Sequence, residues 1–427
     1  MSVELSPIAH PTFLILGAGS RGNTYANHLA DHPEQGEVVA VAESDPVRRA
    51  AFAERHGLRP DRVYASWREA LAEPKLADAV MVTTQDGDHV GPALAAAAMG
   101  YHILLEKPIA PTEAETRAVI EAAEAAGVLL TVCHVLRYTP HTIALRRLLA
   151  EGAIGEVQSI EHLEPVGWWH AAHSFVRGNW RNEGLSSPML LAKSCHDLDW
   201  LLAVAGRPCE RIASFGSLSY FNRAHQPEGA ADRCLECPGQ IEQSCPYSAK
   251  RIYLGAVERG VTDWPLSVIT HDPTREGVMA ALADGPYGRC VYACDNDVVD
   301  HQVVSLEFAG GLTASFTMTA FTTMRGRNTR LFGSHGEITT DSRVITVDDF
   351  RTGERRVIDT EVDADTGAGG GHGGGDGGLV TAFATALRTG DQSHVLSGSG
   401  ESLRSHLLVF AAERARHQGT VEVVPQR

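Results

Sequence analysis

Thr12-Phe13-Leu14-Ile15-Leu16-Gly17-Ala18-Gly19-Ser20-Arg21-Gly22 reads as an apolar strand running straight into a G-x-G-x-x-G turn. Each glycine has a task in such a turn. Gly17 permits a tight exit from the strand, Gly19 lets a pyrophosphate approach the backbone, and Gly22 lets the following helix pack closely. Ser20 and Arg21 open that helix, whose free N–H groups and positive dipole end face the phosphates. A second apolar run, 38–42, ends in Glu43. It stands roughly 20 residues past the glycines, where a carboxylate holds a ribose 2′-OH. A lone G-x-G-x-x-G is a weak signal, but strand, helix and acid together make this a dinucleotide site. Glu43 favours NAD over NADP by repelling a 2′-phosphate, although Arg48 and Arg49 stand close by.

Outward from this stretch, short apolar runs at 12–16, 38–43, 63–64, 79–83, 102–105 and 128–133 alternate with helical segments at 46–56, 67–72 and 89–99. A further helix begins at Thr112, where Glu115 completes a capping box and Gly127 stands at the far cap. Strict alternation predicts a doubly wound parallel sheet, a Rossmann domain over 1–133. Beyond it the rhythm changes. A helix at 142–151 leads to a strand at 157–163, then to alternating strands at 303–308, 312–319, 330–332, 337–340, 344–347 and 356–358. That pattern predicts a second α/β domain over 134–427 with a large open, mostly antiparallel sheet, interrupted by a cysteine-containing insertion at 225–295. Helical segments at 379–387 and 401–418 close the chain.

With 53 acids against 37 bases in 427 residues, the net charge is −16. That disfavours nucleic acid or an anionic membrane as partner, since both need a basic footprint. An anionic small substrate needs only a local cluster of bases. No apolar run approaches the roughly 20 residues of a membrane span. The first ten residues lack the regions of a signal peptide, and mostly scattered cysteines suit a reducing compartment, so the expectation is a cytoplasmic protein.

Ligands of a doubly wound sheet gather at the carboxyl ends of its strands. Thr84 and His89 follow the fourth strand, and Glu106-Lys107-Pro108 follows the fifth, which puts Lys107 beside the nicotinamide. Read as bland features, Lys107 is a surface charge and His89 belongs to a capped turn. In Lys193-Ser194-Cys195-His196-Asp197-Leu198-Asp199, polar residues open an apolar helix, and Asp199 is spaced to fix the imidazole of His196. His134 and Tyr138, leaving the last Rossmann strand, are secondary acid–base candidates, equally readable as packing residues.

Together, Gly17–Gly22, Thr84-Gln85-Asp86 with His89, Glu106-Lys107-Pro108 and Cys195-His196-Asp197-Leu198-Asp199 resemble the Gfo/Idh/MocA family of NAD(P)-dependent sugar and polyol oxidoreductases. The resemblance covers nearly the whole chain. It implies that Lys107 orients or deprotonates the reacting hydroxyl and that His196 accepts the proton. It also implies that the open sheet forms a homo-oligomer interface, in a dimer or tetramer. Two positions depart from the family pattern. Ala192 stands where many members carry aspartate, with Lys193 beside it, and Gln85 stands where proline usually follows the threonine. Lys193 then becomes an electrostatic substitute or a binder of an anionic substrate. The leading expectation is hydride removal from a secondary hydroxyl of a sugar. The rival, drawn from another branch of the superfamily, is an NAD-dependent glycoside hydrolase working by transient C3 oxidation, elimination and water addition.

The segment 166–181 gathers three of the six tryptophans, two histidines and two arginines. Aromatic faces stack on sugar rings and arginine forks grip anionic groups, so Trp169, His170, Arg177, Trp180 and Arg181 read as a substrate loop. Asp197 joins them from the His196 helix. The stretch 366–378 is low in complexity and by default a flexible linker. His372 and Asp376 punctuate it, and similar loops near the sugar site of some family members favour a substrate role for both. Cys234-x-x-Cys237 with Cys245 reads equally as a partial zinc knuckle or as unligated thiols. Cys290 and Cys294 are the best offers of a fourth ligand, and His225 is the next.

Overall fold

The computed structural model describes residues 5–361 and 372–426. The first sheet contains β1 (Thr12–Leu16), β2 (Glu37–Ala42), β3 (Val63–Tyr64), β4 (Ala79–Val82), β5 (His102–Leu105) and β6 (Leu130–Val132) in the order β3-β2-β1-β4-β5-β6. All its pairings are parallel. Helices cover both faces, so successive residues of β1 serve different cores. Phe13 and Ile15 enter one apolar cluster, and Leu14 and Leu16 enter the other. Strand order reverses between β1 and β4, and their carboxyl ends carry Gly17 and Thr83. Gly17 has φ +100°, and a Cβ there would lie 2.7 Å from the Thr83 carbonyl oxygen.

The second sheet has nine strands: β7 (Val157–Pro165), β8 (Cys209–Ser217), β9 (His301–Phe308), β10 (Thr313–Thr319), β11 (Asn328–Gly333), β12 (Gly336–Thr340), β13 (Val344–Asp349), β14 (Arg355–Asp359) and β15 (Val421–Val423). Their order is β14-β13-β12-β11-β7-β10-β9-β8-β15. Only β7 and β10 pair in parallel, and every other neighbour is antiparallel. Both sheets are thus of the expected kind. Helices Cys195–Ala205 and Ser399–Gln418 cover the inner face.

One element crosses between the lobes. Helix Gly375–Thr389 buries Leu379, Val380 and Phe383 in the same cluster as Phe13 and Tyr25, and residues 396–398 run beside β6. The Rossmann core is therefore completed by a segment far along the chain. Among the described residues, no helix is long and apolar enough to cross a membrane.

Candidate active site at the junction of the two lobes

The glycine turn has the shape a dinucleotide needs. Gly19 would place a Cβ in open space, whereas a Cβ at Gly22 would lie 2.1 Å from the Gly17 oxygen. Gly22 therefore serves helix packing, and Gly19 leaves an approach to the backbone. Helix Ser20–Asp31 starts there without a side-chain cap, so its first N–H groups stay available to phosphate oxygens. Ser20 is exposed at that end. Glu43 is 6% exposed, and its carboxylate accepts from Ala18 N at 2.7 Å and Asp45 N at 2.8 Å. Arg48 lies 3.6 Å from it, and Arg49 is spent on the carbonyls of Glu43 and Ser44. These residues fit a dinucleotide.

Arg21 turns the other way. Its Nε meets Glu106 at 2.7 Å and its Nη2 meets Asp376 at 2.5 Å. Tyr25 donates to Glu106 at 2.5 Å. Burial would raise the Glu106 pKa, but Arg21 and Lys107 outweigh it and hold the carboxyl below its usual range. Glu106 also accepts from Lys107 N at 3.0 Å, which fixes the turn that presents the lysine. The Lys107 side chain crosses to the second lobe, where Nζ donates to the Ala192 carbonyl at 2.6 Å. Ala192 thus receives the ammonium through its backbone.

His196 begins helix Cys195–Ala205 and is 4% exposed. Burial pushes its pKa well below the ordinary histidine value, and Lys107, His372 and His134 push in the same direction. Its Nδ1 has no hydrogen-bond partner. The ring of His372 lies 5.6 Å from it, centroid to centroid, and His372 Nδ1 is 3.3 Å from Asp376. The glycine stretch is therefore no linker at its described end, since His372 and Asp376 fold back onto Arg21. Residues 366–371 of the stretch lie outside the described residues.

Lys193 and His170 face the same junction. Lys193 Nζ lies 3.3 Å from Glu164. The pKa of His170 is lowered by burial first, then by Lys193, with Lys107 among its further neighbours. Trp169 lies 5.0 Å from Trp264, and His170 lies 5.1 Å from it, so Trp264 joins the aromatic wall.

Several sequence expectations are corrected. Tyr138 is buried, its hydroxyl taken up by Leu396 N, Ser397 N and Ser397 Oγ, and burial pushes the phenol to about 12. It is a strut, not an acid–base group. His134 is fully buried and pushed down to about 4 by burial. Asp199 binds Arg137 through both oxygens, at 2.7 and 2.8 Å, and does not orient His196. Asp197 is 0% exposed and clamped by Arg327 Nε at 2.5 Å and His162 at 3.1 Å, out of a substrate's reach. Arg177 is equally buried and holds the carbonyls of Arg289 and Tyr247. Arg181 forks onto Asp295 at 2.8 and 3.2 Å. Trp180 donates to Asp86 at 3.0 Å, tying the loop to the end of β4. Thr84 bonds Asp88 O, close to the turn. His89 is 0% exposed, with its ring nitrogens 2.7 Å from Pro108 O and 3.2 Å from Thr84 O. It links the ends of β4 and β5 from beneath and has no face left for a cofactor.

Among the described residues, no three sulfurs of Cys234, Cys237, Cys245, Cys290 and Cys294 come within 4.8 Å of one another. All eight cysteines are free thiols. His225 packs against Tyr220 with the rings tilted by 42° and bonds Asn222. The residues that sequence reasoning missed are Glu164 and Arg327, paired at 3.0 Å, together with Tyr25 and Trp264. Tyr25 carried a signal, standing one helical turn past Arg21. The others meet their partners only through the fold.

The family model for Gfo/Idh/MocA oxidoreductases with the NAD-binding Rossmann fold matches residues 12–134, and the model of that family's C-terminal α/β domain matches 146–372. The chain is 23% identical over 311 residues to the putative oxidoreductase YteT of Bacillus subtilis, covering 71% of this chain and 69% of that one. It is 38% identical over 120 residues to 1,5-anhydro-D-fructose reductase of Ensifer adhaerens, covering 28% of this chain and 35% of that protein. The fold is shared with an inositol dehydrogenase homolog from Azotobacter vinelandii solved with NAD+. Its TM-score is 0.71 at 16% identity, over 99% of this chain and 100% of the other.

Proposed function

Because the chain belongs to the Gfo/Idh/MocA oxidoreductase family, we propose that it is an NAD-dependent dehydrogenase acting on a secondary hydroxyl of a sugar or sugar derivative. The observation that carries this reading is the Lys107 ammonium, held 2.6 Å from the Ala192 carbonyl just ahead of His196. A cation from one lobe and a neutral imidazole from the other meet at one place. When bound, the nicotinamide takes up the hydride. Lys107 Nζ keeps N–H groups free to hold the substrate oxygen and to stabilise it as it loses its proton. Burial and Lys107 lower the His196 pKa, which favours the neutral imidazole, the form that can take that proton. Trp169 and Trp264 supply apolar faces for a sugar ring. The names of the anhydrofructose reductase and the inositol dehydrogenase homolog support a sugar or polyol as substrate class. Glu43 supports NAD over NADP, with Arg48 spent on it.

An anionic substrate loses support, since Arg177 and Arg181 are engaged elsewhere and Lys193 is balanced by Glu164. The test is a screen of free sugars and polyols with NAD+ at 340 nm, with product masses. A substrate should give NADH, and Lys107→Ala should cut turnover by about 10²–10⁴, the range for a positioned proton-transfer group. Full turnover in that variant would end the proposal. A second reading, the redox-neutral glycoside hydrolase, draws on His372. Elimination needs another base, and this imidazole, backed by Asp376, lies beside His196. A nitrophenyl glycoside would then release aglycone with no NAD added and no NADH accumulating. We also infer self-association through the outer face of the second sheet, where Phe215 is 71% exposed.

A further inference from the structure

Arg177 is the largest side chain sealed from solvent, and among the described residues it makes no ion pair. Its Nε and Nη2 hold the carbonyls of Arg289 and Tyr247, and its Nη1 has no partner. Nη2 also lies 3.5 Å from Cys234 Sγ, and the Tyr253 hydroxyl is a further polar neighbour. Two more buried arginine nitrogens nearby, Arg233 Nε and Arg289 Nη2, also lack partners. A buried cation is costly unless it is both paired and hydrogen-bonded. Of the acids in this region, Asp295 is taken by Arg181 and by Nη1 of Arg289, Asp232 by Arg223 and Glu242 by Lys250. Beside Cys234, Arg177 and Arg233 are thus left without an acid partner among the described residues.

We propose that Cys234, Cys237, Cys245 and Cys290, as thiolates, hold one closed structural metal centre, with Arg177 as its hydrogen-bonded counter-cation. Backbone geometry brings the four together. Arg233 pairs with Arg289 in an isolated antiparallel bridge, with Cys234 N donating to Gly288 O at 2.9 Å and Cys290 N to Asp232 O at 2.8 Å. Alternate residues share a face, so Cys234 and Cys290 fall on the same side. Cys237 follows one turn later, and Cys245 ends helix Gly239–Ser244. Cys294 is the thiol left out, its Sγ 3.2 Å from the Cys290 carbonyl. Four thiolates around one divalent zinc ion carry two net negative charges, and an oxidised four-iron cluster on four thiolates carries the same. Either one offsets Arg177 and leaves one negative charge to face Arg233, whose Nε lacks a partner. Zinc, with Zn–S of about 2.3 Å, draws the sulfurs closer than they stand without it, whereas the iron cluster holds them wider. Closed tetrathiolate sites stabilise a fold and leave no position for substrate. This one would anchor the segment that carries Trp169 and His170 to the insertion, through Arg177.

The full-length protein is purified with and without air, and zinc and iron are measured per chain alongside visible absorbance. About one zinc, or about four irons with visible absorption, per chain supports the centre and identifies it. Cys237→Ser and Cys245→Ser should lose at least four-fifths of that metal, and Cys294→Ser should keep it. If the serine variants do not fold, the native protein is titrated with a mercurial, and metal should leave in step with four thiols. Less than a tenth of an equivalent of metal in both preparations, a disulfide among these cysteines, or equal metal loss in Cys294→Ser overturns the proposal. NAD affinity reads the Rossmann lobe separately, so failure here is distinguishable from failure of the dehydrogenase reading.

Discussion

Glu43 carries its meaning in its surroundings as much as in its charge. It accepts two backbone N–H bonds while lying at the mouth of the glycine turn, so its carboxylate is held in place before any ribose arrives. A hydrogen bond to a charged group contributes about 1.5–3 kcal/mol, so Glu43→Ala should weaken NAD binding roughly tenfold or more. The same change removes the repulsion of a 2′-phosphate and frees Arg48, so NADP binding should strengthen. Titration calorimetry with both nucleotides checks this, and parallel losses for the two would show that Glu43 does not discriminate. This residue was legible because its partners are local: turn, strand and acid lie within one βαβ unit. Asp199 was not. Its spacing pointed to His196, one turn away, yet it is held by Arg137, whose place in space depends on how the helices pack. The arginines at 177 and 181 failed for the same reason. A guanidinium in a sequence reads as a free fork, and only the fold shows what already fills it.

Among the elements, the apolar strands of the first sheet announced themselves, because burial on both faces leaves unbroken apolar runs. β8 did not. A bulge between Cys209 and Arg211 interrupts its register, and its burial pattern does not alternate cleanly. The glycine stretch was legible only in part. Its composition is that of a linker, yet from Gly375 it is helix, and the glycines are there for close approach. A Cβ on Gly375 would meet the Val135 carbonyl oxygen at 2.4 Å, and one on Gly378 would meet that of Tyr138 at 2.8 Å. Alanine normally gains about 1 kcal/mol over glycine inside a helix. At Gly375 the clash with backbone should reverse that sign. Gly375→Ala is therefore expected to lower the melting temperature and, by shifting Asp376 off Arg21, to weaken NAD binding. A variant as stable as the parent, with unchanged NAD affinity, would show that the strap is not coupled to the dinucleotide lobe.

For the whole molecule, the second sheet leaves a row of side chains on its outer face that neither lobe covers. Phe215 pairs with Val303, Val303 with Thr317, and Thr317 with Leu163, and the first two are 71% and 39% exposed. If this face joins two copies, Phe215→Asp combined with Val303→Lys should shift the protein to monomer in light scattering, with the melting curve of the isolated chain little changed. An unchanged mass would place any assembly elsewhere. The interior makes a separate demand. His134, His141, His173 and His406 are all buried, and burial lowers them to about 4, about 4, about 3 and about 3. In the unfolded chain each titrates near 6.5, so between pH 6.5 and 4 the unfolded state binds protons that the native state refuses. Unfolding then takes up protons, and stability must fall as pH is lowered through that window. Each such histidine contributes a slope of about 1.4 kcal/mol per pH unit. Above pH 7 both states are neutral and the effect vanishes, and below the folded values it stops growing. Urea unfolding at pH 7.5, 6 and 5 should show the midpoint dropping little in the first step and steeply from pH 6 to 5. A flat profile from 7.5 to 5 would mean that these imidazoles already carry their protons inside the fold, and that the neutral, proton-accepting state assigned to their neighbour His196 has no basis either.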